Sequence, residues 1–348
     1  MIKFIIIVTS LLIALTCVAQ QKTEVIDSAI KATYNSNPDV GISVGLVHES
    51  TRYFFNYGTV SRTVSQRVDS ITTFEIGSIT KLFTSYLIAQ QAQAGRISLD
   101  SFVDEYLPPQ VKLNPKIQSK IKVSDLASHQ SGLPDFDMLR LLQLNPVQPL
   151  DEVTTEMVDS ILVHTSDLES LGAYQYSNIS YVLLGYILEN VVGSNYEKIV
   201  NNNLLKPLKM KNTFTSDFSS GISTMGYDFQ NNKRGFLNWN CVIAPAGLLK
   251  SNTSDMLKFI QFLLATDDKE ILRKIQKTYF KNTFIELGLG LNILRDGDNV
   301  VYAKSGDSVG QSSVLAYNKQ KNWGVIILTN QASGIARQLF SEITIILN

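Results

Sequence analysis

The chain has 348 residues, 44% of them hydrophobic and 18% charged, with Lys plus Arg and Asp plus Glu balanced at 31 each. That composition excludes a disordered chain and allows one large core or two intimately packed domains. The balance offers no basic surplus for nucleic acid, and no run of like charge forms an interaction tail.

The first residues read as an export signal. Lys3 gives a positive start, Phe4 to Ala14 is almost unbroken apolar sequence, and Cys17 and Ala19 are small residues at the −3 and −1 positions. Cleavage is expected after Ala19, making residues 1–19 a signal peptide and the protein periplasmic or cell-envelope. An uncleaved membrane anchor competes with this, although the run is short for a full span. Lipid attachment at Cys17 fits less well, because Ala14, Leu15 and Thr16 make a poor lipobox. Beyond the cut only Cys241 remains, so no internal disulfide can form. Cys241 lies between Trp239 and an apolar stretch and is expected to be a buried structural thiol.

Residues 39–48 alternate and are rich in β-branched types, which predicts a strand, with Thr51 to Tyr57 as its hairpin partner. Ile79, Leu82, Phe83, Tyr86 and Leu87 recur at helical spacing and predict an amphipathic helix that Gly95 can end. Ile179, Val182, Leu183, Tyr186 and Ile187 predict a second. Ser254 to Leu264 predicts a third, with Ser254 or Thr253 as N-cap. Strands follow at Leu287 to Leu294, Asn299 to Ala303, Ser312 to Tyr317 and Trp323 to Thr329, with turns at residues 296–298 and 318–319. A last helix runs from about Ile335 to Ile346. Strands at both ends around a helical middle predict an α/β (α+β) chain with one antiparallel sheet and a mostly helical insertion. The sheet domain is assigned to residues 20–75 and 236–348 and the helical domain to 76–235, with the active site between them.

Three short motifs carry chemistry. Ser78-Ile79-Thr80-Lys81 places Ser and Lys three apart, on one face of a helix. The Lys amine can take the Ser proton or hold its oxygen, and the helix N-terminus offers backbone N–H groups to an oxyanion. The tetrad alone is weak, because Ser28 to Lys31 and Ser119 to Lys122 fit it too. Ser78 differs in following an extended segment and Gly77 and in opening a helix, where a plain N-cap serine is the competing reading. Tyr176-Ser177-Asn178 is unique in the chain. A buried phenol flanked by cations can act as a base, and Asn178 can donate to a substrate carbonyl and accept from a lysine. Core packing for Tyr176 and helix capping for Asn178 are the alternatives. Lys304-Ser305-Gly306, also unique, ends a predicted strand. Its lysine can bind a carboxylate, and Gly306 lets substrate lie close to the strand edge. Any ordinary strand-to-turn junction would serve as well.

In this order, the three resemble the Ser-x-x-Lys and Lys-Thr-Gly set of penicillin-recognising enzymes, with Tyr-x-Asn in place of Ser-Asp-Asn. The segment Phe74 to Lys81 resembles the nucleophile signature of the class C β-lactamase and penicillin-binding-protein family, with Thr80 where Ser or Ala is usual. Leu126 to Pro134 is close to the family's Leu-x-x-His-x-Ser-Gly-Leu-Pro segment. Leu184, Gly185 and Glu189 follow the Tyr-x-Asn as in the family, and Pro207 to Met210 and Ala246 to Leu248 are similar to two further family segments. Matches run from about residue 40 to 330. The departures are Asp135-Phe136-Asp137, where class C β-lactamases carry an amide side chain, Gln311 where an aromatic is usual, and a short interval from Tyr176 to Lys304.

The resemblance implies a β-lactamase/transpeptidase-like fold, an antiparallel sheet flanked by the N- and C-terminal helices. It implies Ser78 as nucleophile and Tyr176 with Lys81 as general base. Asn178 would orient Lys81 and the substrate amide. Lys304, Ser305 and Gly306 would bind substrate, and the backbone N–H groups of Ser78 and Asp307 would form the oxyanion hole. His129 is expected to be a buried hydrogen-bonding residue outside the chemistry. The expected partner is a small molecule or peptide carrying a carboxylate, acted on by a monomer without cofactor or metal. His48, His129 and His164 stand in unrelated contexts. Three functions stay open: a β-lactamase; a D-alanyl-D-alanine carboxypeptidase, D-aminopeptidase or esterase; and a non-catalytic penicillin-binding module.

Overall fold

The computed structural model describes residues 21–49, 51–216, 221–265 and 269–348. The expected export signal, residues 1–19, lies outside the described residues.

The sheet has eight antiparallel strands from the two ends of the described chain: β1 (Ile42–His48), β2 (Thr51–Tyr57), β3 (Phe280–Lys281), β4 (Glu286–Leu287), β5 (Asn292–Asp296), β6 (Asn299–Asp307), β7 (Ser312–Asn318) and β8 (Trp323–Thr329). Their spatial order is β2-β1-β8-β7-β6-β5-β4-β3. Strand β1 is therefore sewn between its hairpin partner and the last strand, with Ile42 opposite Thr329 and His48 opposite Trp323. The seam is locked at one end by Asn330, whose side chain accepts from the Gly41 N–H 289 positions away. Strands β1, β7 and β8 are almost wholly buried, so they read as continuous apolar runs covered on both faces.

Two apolar clusters cover those faces. Helix α1 (21–36) and the C-terminal helix bury Ile26, Ile30, Leu339 and Ile343 against one face. The larger cluster joins the other face to the helical part. That part holds α2 (Thr80–Gln93), α3 (Val123–Ala127), α4 (Met138–Leu144), α5 (Thr155–His164), α6 (Ile179–Val192) and α7 (Tyr196–Val200). Later in the chain come α8 (Ala244–Gly247), α9 (Thr253–Ala265), α10 (Lys269–Gln276) and α11 (Ile335–Leu347). The fold is the antiparallel sheet with flanking terminal helices that the sequence predicts. No helix among the described residues is long and apolar enough to cross a membrane.

Several local expectations are corrected. Helices α2 and α6 are not amphipathic; both are buried nearly all round. Small hydroxyls on α2 fill their own needs, as Thr84 does with Pro245 O at 2.8 Å, so polar positions on this helix do not mark a wet face. The N-cap of α9 is neither Ser254 nor Thr253 but Asn252, whose side chain accepts from Asp255 N at 2.9 Å. The predicted strand from Leu287 to Leu294 is broken at residues 288–291, where Gly290 has φ +70 and approaches Ser85 and Lys81 of α2. Strand β6 runs past Lys304 to Asp307, so Lys-Ser-Gly lies inside the strand. Cys241 is exposed and not a buried thiol, because the chain around it crosses the surface before α8.

Candidate active site

Ser78 sits in the middle of a single 3-10 turn, Gly77–Ile79, that feeds α2. It makes no capping bond. Its Oγ lies 2.6 Å from the Tyr176 hydroxyl and accepts a 3.2 Å hydrogen bond from Lys81 Nζ. The rival tetrads have no such company: Ser28 donates to the Glu24 carbonyl of its own helix, and Ser119 to Asp104 at the surface.

Lys81 is wholly buried one turn below Ser78. Its ammonium donates to three acceptors: Ser78 Oγ, Asn178 Oδ1 at 2.9 Å and Ala246 O at 2.6 Å. The three acceptors saturate its three N–H donors. Burial lowers its pKa to about 7, opposed by the nearby Asp135 carboxylate. An unfolded lysine keeps its proton to about 10.4. The unfolded state therefore binds more protons between these values, and stability rises with pH across that window. From pH 7 to 9 the gain expected from Lys81 is about 2 kcal/mol, measurable by denaturant unfolding. Lys81→Met should remove that share of the rise and leave the share of buried Lys304; an equal slope in the variant would show that Lys81 is not a source of it.

Asn178 precedes α6 without capping it. Instead Asp135 clamps it from 43 positions away, accepting from Asn178 N at 2.8 Å and from Asn178 Nδ2 at 3.0 Å. The second oxygen of Asp135 accepts from Ile179 N at 3.0 Å. A carboxylate thus serves the positive end of α6 and fixes the amide that faces Lys81. Sequence reasoning missed this role of Asp135, although the departure at that position was visible. It also missed Ala246 O, a backbone acceptor that no side chain advertises.

Tyr176 is 38% exposed, neither core nor the buried phenol expected. Its ring lies near both lysines, with the centroid 5.0 Å from Lys81 Nζ and 5.3 Å from Lys304 Nζ. It also packs against the His129 ring, tilted by 31° with centroids 4.5 Å apart. His129 is buried, and its backbone carbonyl and Nδ1 accept from Gln175 N and Ser177 N, the two neighbours of Tyr176. A bond accepted at Nδ1 requires neutral imidazole, and burial, then Lys304 and Lys81, hold its pKa well below the usual value. The expectation of a buried hydrogen-bonding histidine is met.

Strand β6 brings Lys304 to the same place, 6% exposed. Burial lowers its pKa to about 8, with Tyr176 raising it and Lys81 lowering it. At Gly306 the strand passes so close to the Gly77–Ile79 turn that a Cβ would lie 2.1 Å from Ile76 O and 2.9 Å from Ser78 N. From the other side, a Cβ on Gly77 (φ +48) would lie 2.8 Å from Asp307 N. The backbone N–H groups of Ser78 and Asp307 thus flank one junction. Asp307 is held by an ion pair with Arg337 and a 2.9 Å bond from Ser312. Behind the turn, buried Glu75 stands opposite Lys250 in a short ladder and accepts from Leu237 N at 2.6 Å. Burial raises the Glu75 carboxyl.

Ser78, Tyr176, Asn178, Lys304, Ser305 and Asp307 line one cleft of about 730 Å³, with Lys81 and Gly306 packed against its floor. All eight residues singled out in the sequence converge there. No group of three or more His, Cys, Asp or Glu side chains gathers to hold a metal among the described residues.

Comparison with known proteins gives the family and the fold. Residues 27–344 match the family named Beta-lactamase. Protein flp of Staphylococcus aureus is 27% identical over 334 residues, covering 91% of this chain and 65% of its own; the chain thus spans just under two thirds of that relative. A Beta-lactamase from Psychrobacter immobilis is 25% identical, with 84% and 79% covered. In fold, the octameric penicillin-binding protein homologue from Pyrococcus abyssi superimposes with TM-score 0.79 at 24% identity, covering 93% of this chain and 77% of that one. The Beta-lactamase/D-Alanine Carboxypeptidase from Pseudomonas syringae gives 0.80 at 21% identity, with 93% and 98% covered. The chain belongs to the Beta-lactamase family of serine hydrolases.

Proposed function

We propose that the protein is an exported serine acyl hydrolase of the β-lactamase type that forms an acyl-enzyme on Ser78. The observation that carries this reading is Ser78 Oγ held at 2.6 Å from Tyr176 and 3.2 Å from Lys81 in a cleft that also presents Lys304. Tyr176, supported by Lys81, takes the Ser78 proton as Oγ bonds to the substrate carbonyl carbon. The oxyanion is received by the backbone N–H groups of Ser78 and Asp307. The carbon–nitrogen bond breaks, and the nitrogen leaves with the proton from Tyr176. Water then repeats the sequence on the acyl ester, giving its proton to Tyr176, and Ser78 Oγ regains a proton on departure. Asn178 has spent one amide hydrogen on Asp135, which leaves the second for a substrate carbonyl. Lys304 pairs with a carboxylate on the substrate, a small molecule or peptide, taken by a monomer.

The test is time-resolved mass spectrometry of the protein incubated with a penicillin. A mass increase on the peptide carrying Ser78, absent in Ser78→Ala and followed by release within seconds to minutes, is the expected result. Absence of any adduct, together with absence of labelling by a fluorophosphonate, would leave a binding module without catalysis. A second reading, peptidase or esterase action on the same machinery, is favoured by the stretch Asp135-Phe136-Asp137, which holds no amide side chain where the resemblance leads one to expect it, and whose Asp135 is spent on Asn178. An adduct that forms and persists, with turnover of D-alanyl peptides or esters, would select it.

A further inference from the structure

We propose that Gln311 and Ser313, at the head of β7, are positioning residues that hold the Ser78 and Asp307 N–H groups at the spacing an oxyanion needs. This rests on the acyl-hydrolase reading of Ser78. Both side chains are buried, and both act through the backbone that runs behind the cleft.

The short strand Phe74–Glu75 leads into the Ser78 turn. On one side it is laddered to Lys250–Ser251, and Ile76 N donates to Leu249 O at 3.2 Å. On the other side two side chains hold it. Gln311 Oε1 accepts from Glu75 N at 3.0 Å. Two residues further along the extended chain, Ser313 Oγ lies 2.9 Å from Ile76 O. The same hydroxyl lies 3.1 Å from Gly306 O, sharing its one proton between the two carbonyls. It therefore bridges the segment that enters Ser78 to the segment that enters Asp307. The turn after Asp307 is tied to the same place, because Ser308 N donates to Gln311 O at 2.9 Å.

The Gln311 amide is present for its oxygen. Its Nε2 is buried without a partner among the described residues. Turning the amide over would set that NH2 against the Glu75 N–H, donor against donor. A buried donor left unpaired is a cost that a residue without a polar end avoids. What the amide supplies in return is an acceptor for Glu75 N–H, which the aromatic ring expected at this position cannot offer. Thr224 Oγ1 lies 3.3 Å from the same oxygen and helps to orient it. Glu75 is pinned on its far side as well, its carboxylate accepting from Leu237 N at 2.6 Å. Slack introduced at Gln311 or Ser313 therefore falls on the junction of Gly77, Ser78, Gly306 and Asp307, where the backbones are in closest approach.

The test compares wild type with Gln311→Met, which keeps the length but loses the acceptor, and Ser313→Ala, which loses one hydroxyl. The acyl-enzyme is formed by rapid mixing with a penicillin, or with phenyl acetate, labelled isotopically at the scissile carbonyl. Isotope-edited infrared difference spectroscopy then reads the ester band on Ser78. Donated N–H bonds lower the stretching frequency of that carbonyl, so a loosened junction raises it. Both variants are expected to show the band at higher frequency than wild type. Their kcat/KM should fall by about tenfold to a hundredfold, the larger figure matching a displacement on the order of 1 Å. For either residue, a band that stays at the wild-type frequency overturns the assignment, even where activity falls, because the role is then only structural. Unchanged kcat/KM overturns it too. Ser313→Ala, the milder change, decides the matter if Gln311→Met does not fold. Failure of the wild type to form any acyl-enzyme on Ser78 with either compound overturns the hydrolase reading itself.

Discussion

Tyr176→Phe is expected to lower kcat/KM by about two to four orders of magnitude, the range of general acid–base catalysis. The substitution removes one oxygen, the atom 2.6 Å from Ser78 Oγ. The ring, its packing against His129 and its place near both lysines all remain. Because Tyr176 is 38% exposed, the melting temperature should hardly move. Activity in the wild type should rise with pH through about 7, as Lys81 loses its proton and can help draw the proton from Ser78. For substrates with a carboxylate it should fall above about 8, as Lys304 loses the charge that binds them. The two lysines interact, so these limbs belong to the pair. A variant within threefold of wild type would remove Tyr176 from the proton path and leave Lys81 alone as base.

Gly306→Ala is expected to cost about a hundredfold in kcat/KM, the penalty for a displacement on the order of 1 Å at a reacting centre. The new methyl would lie 2.1 Å from Ile76 O and 2.9 Å from Ser78 N, both backbone atoms that cannot rotate aside. Strand β6 must back away, taking Lys304 and the Asp307 N–H with it. The loss should appear with charged and neutral substrates alike, because the oxyanion junction opens for both. Loss of carboxylate-bearing substrates alone would place the damage at Lys304 and refute the assignment of Asp307 N–H. Far-ultraviolet circular dichroism should be unchanged, since β6 keeps its ladders with β5 and β7.

Much of this was legible in the sequence because chemistry-bearing side chains mark themselves at short range. Ser78 and Lys81 share a helix face by spacing alone, and Lys304 and Gly306 sit in one strand. What remained hidden depends on partners far along the chain. Asp135 looks like a loop acid until Asn178 meets it, and Ala246 contributes only a carbonyl. The all-round burial of α2 escaped because apolar spacing cannot tell a covered face from a wet one when the intervening residues include Thr and Ser, and that of α6 because Tyr181, Leu184 and Leu188 fill its other faces outside the periodic set. Gly288 and Gly290 did carry a signal for the break between β4 and β5, and the apolar run around them outweighed it. The exposure of Cys241 is set by where the chain crosses the surface, which neighbours in sequence do not reveal.

The seam between β1 and β8 sets a timetable. Most contacts of a nascent chain form among nearby residues, but β1 waits for a strand almost a whole chain length behind it. A ribosome-bound fragment that already carries Ser78, Lys81, Tyr176 and Asn178 lacks both the closing strand and the strand that bears Lys304. Its first hairpin meanwhile shows an open, apolar edge that invites pairing with other chains. Ser78 therefore meets its full set of partners only once the strands of residues 280–329 are in place, and shortening the chain before β8 is expected to yield sticky protein without an assembled cleft.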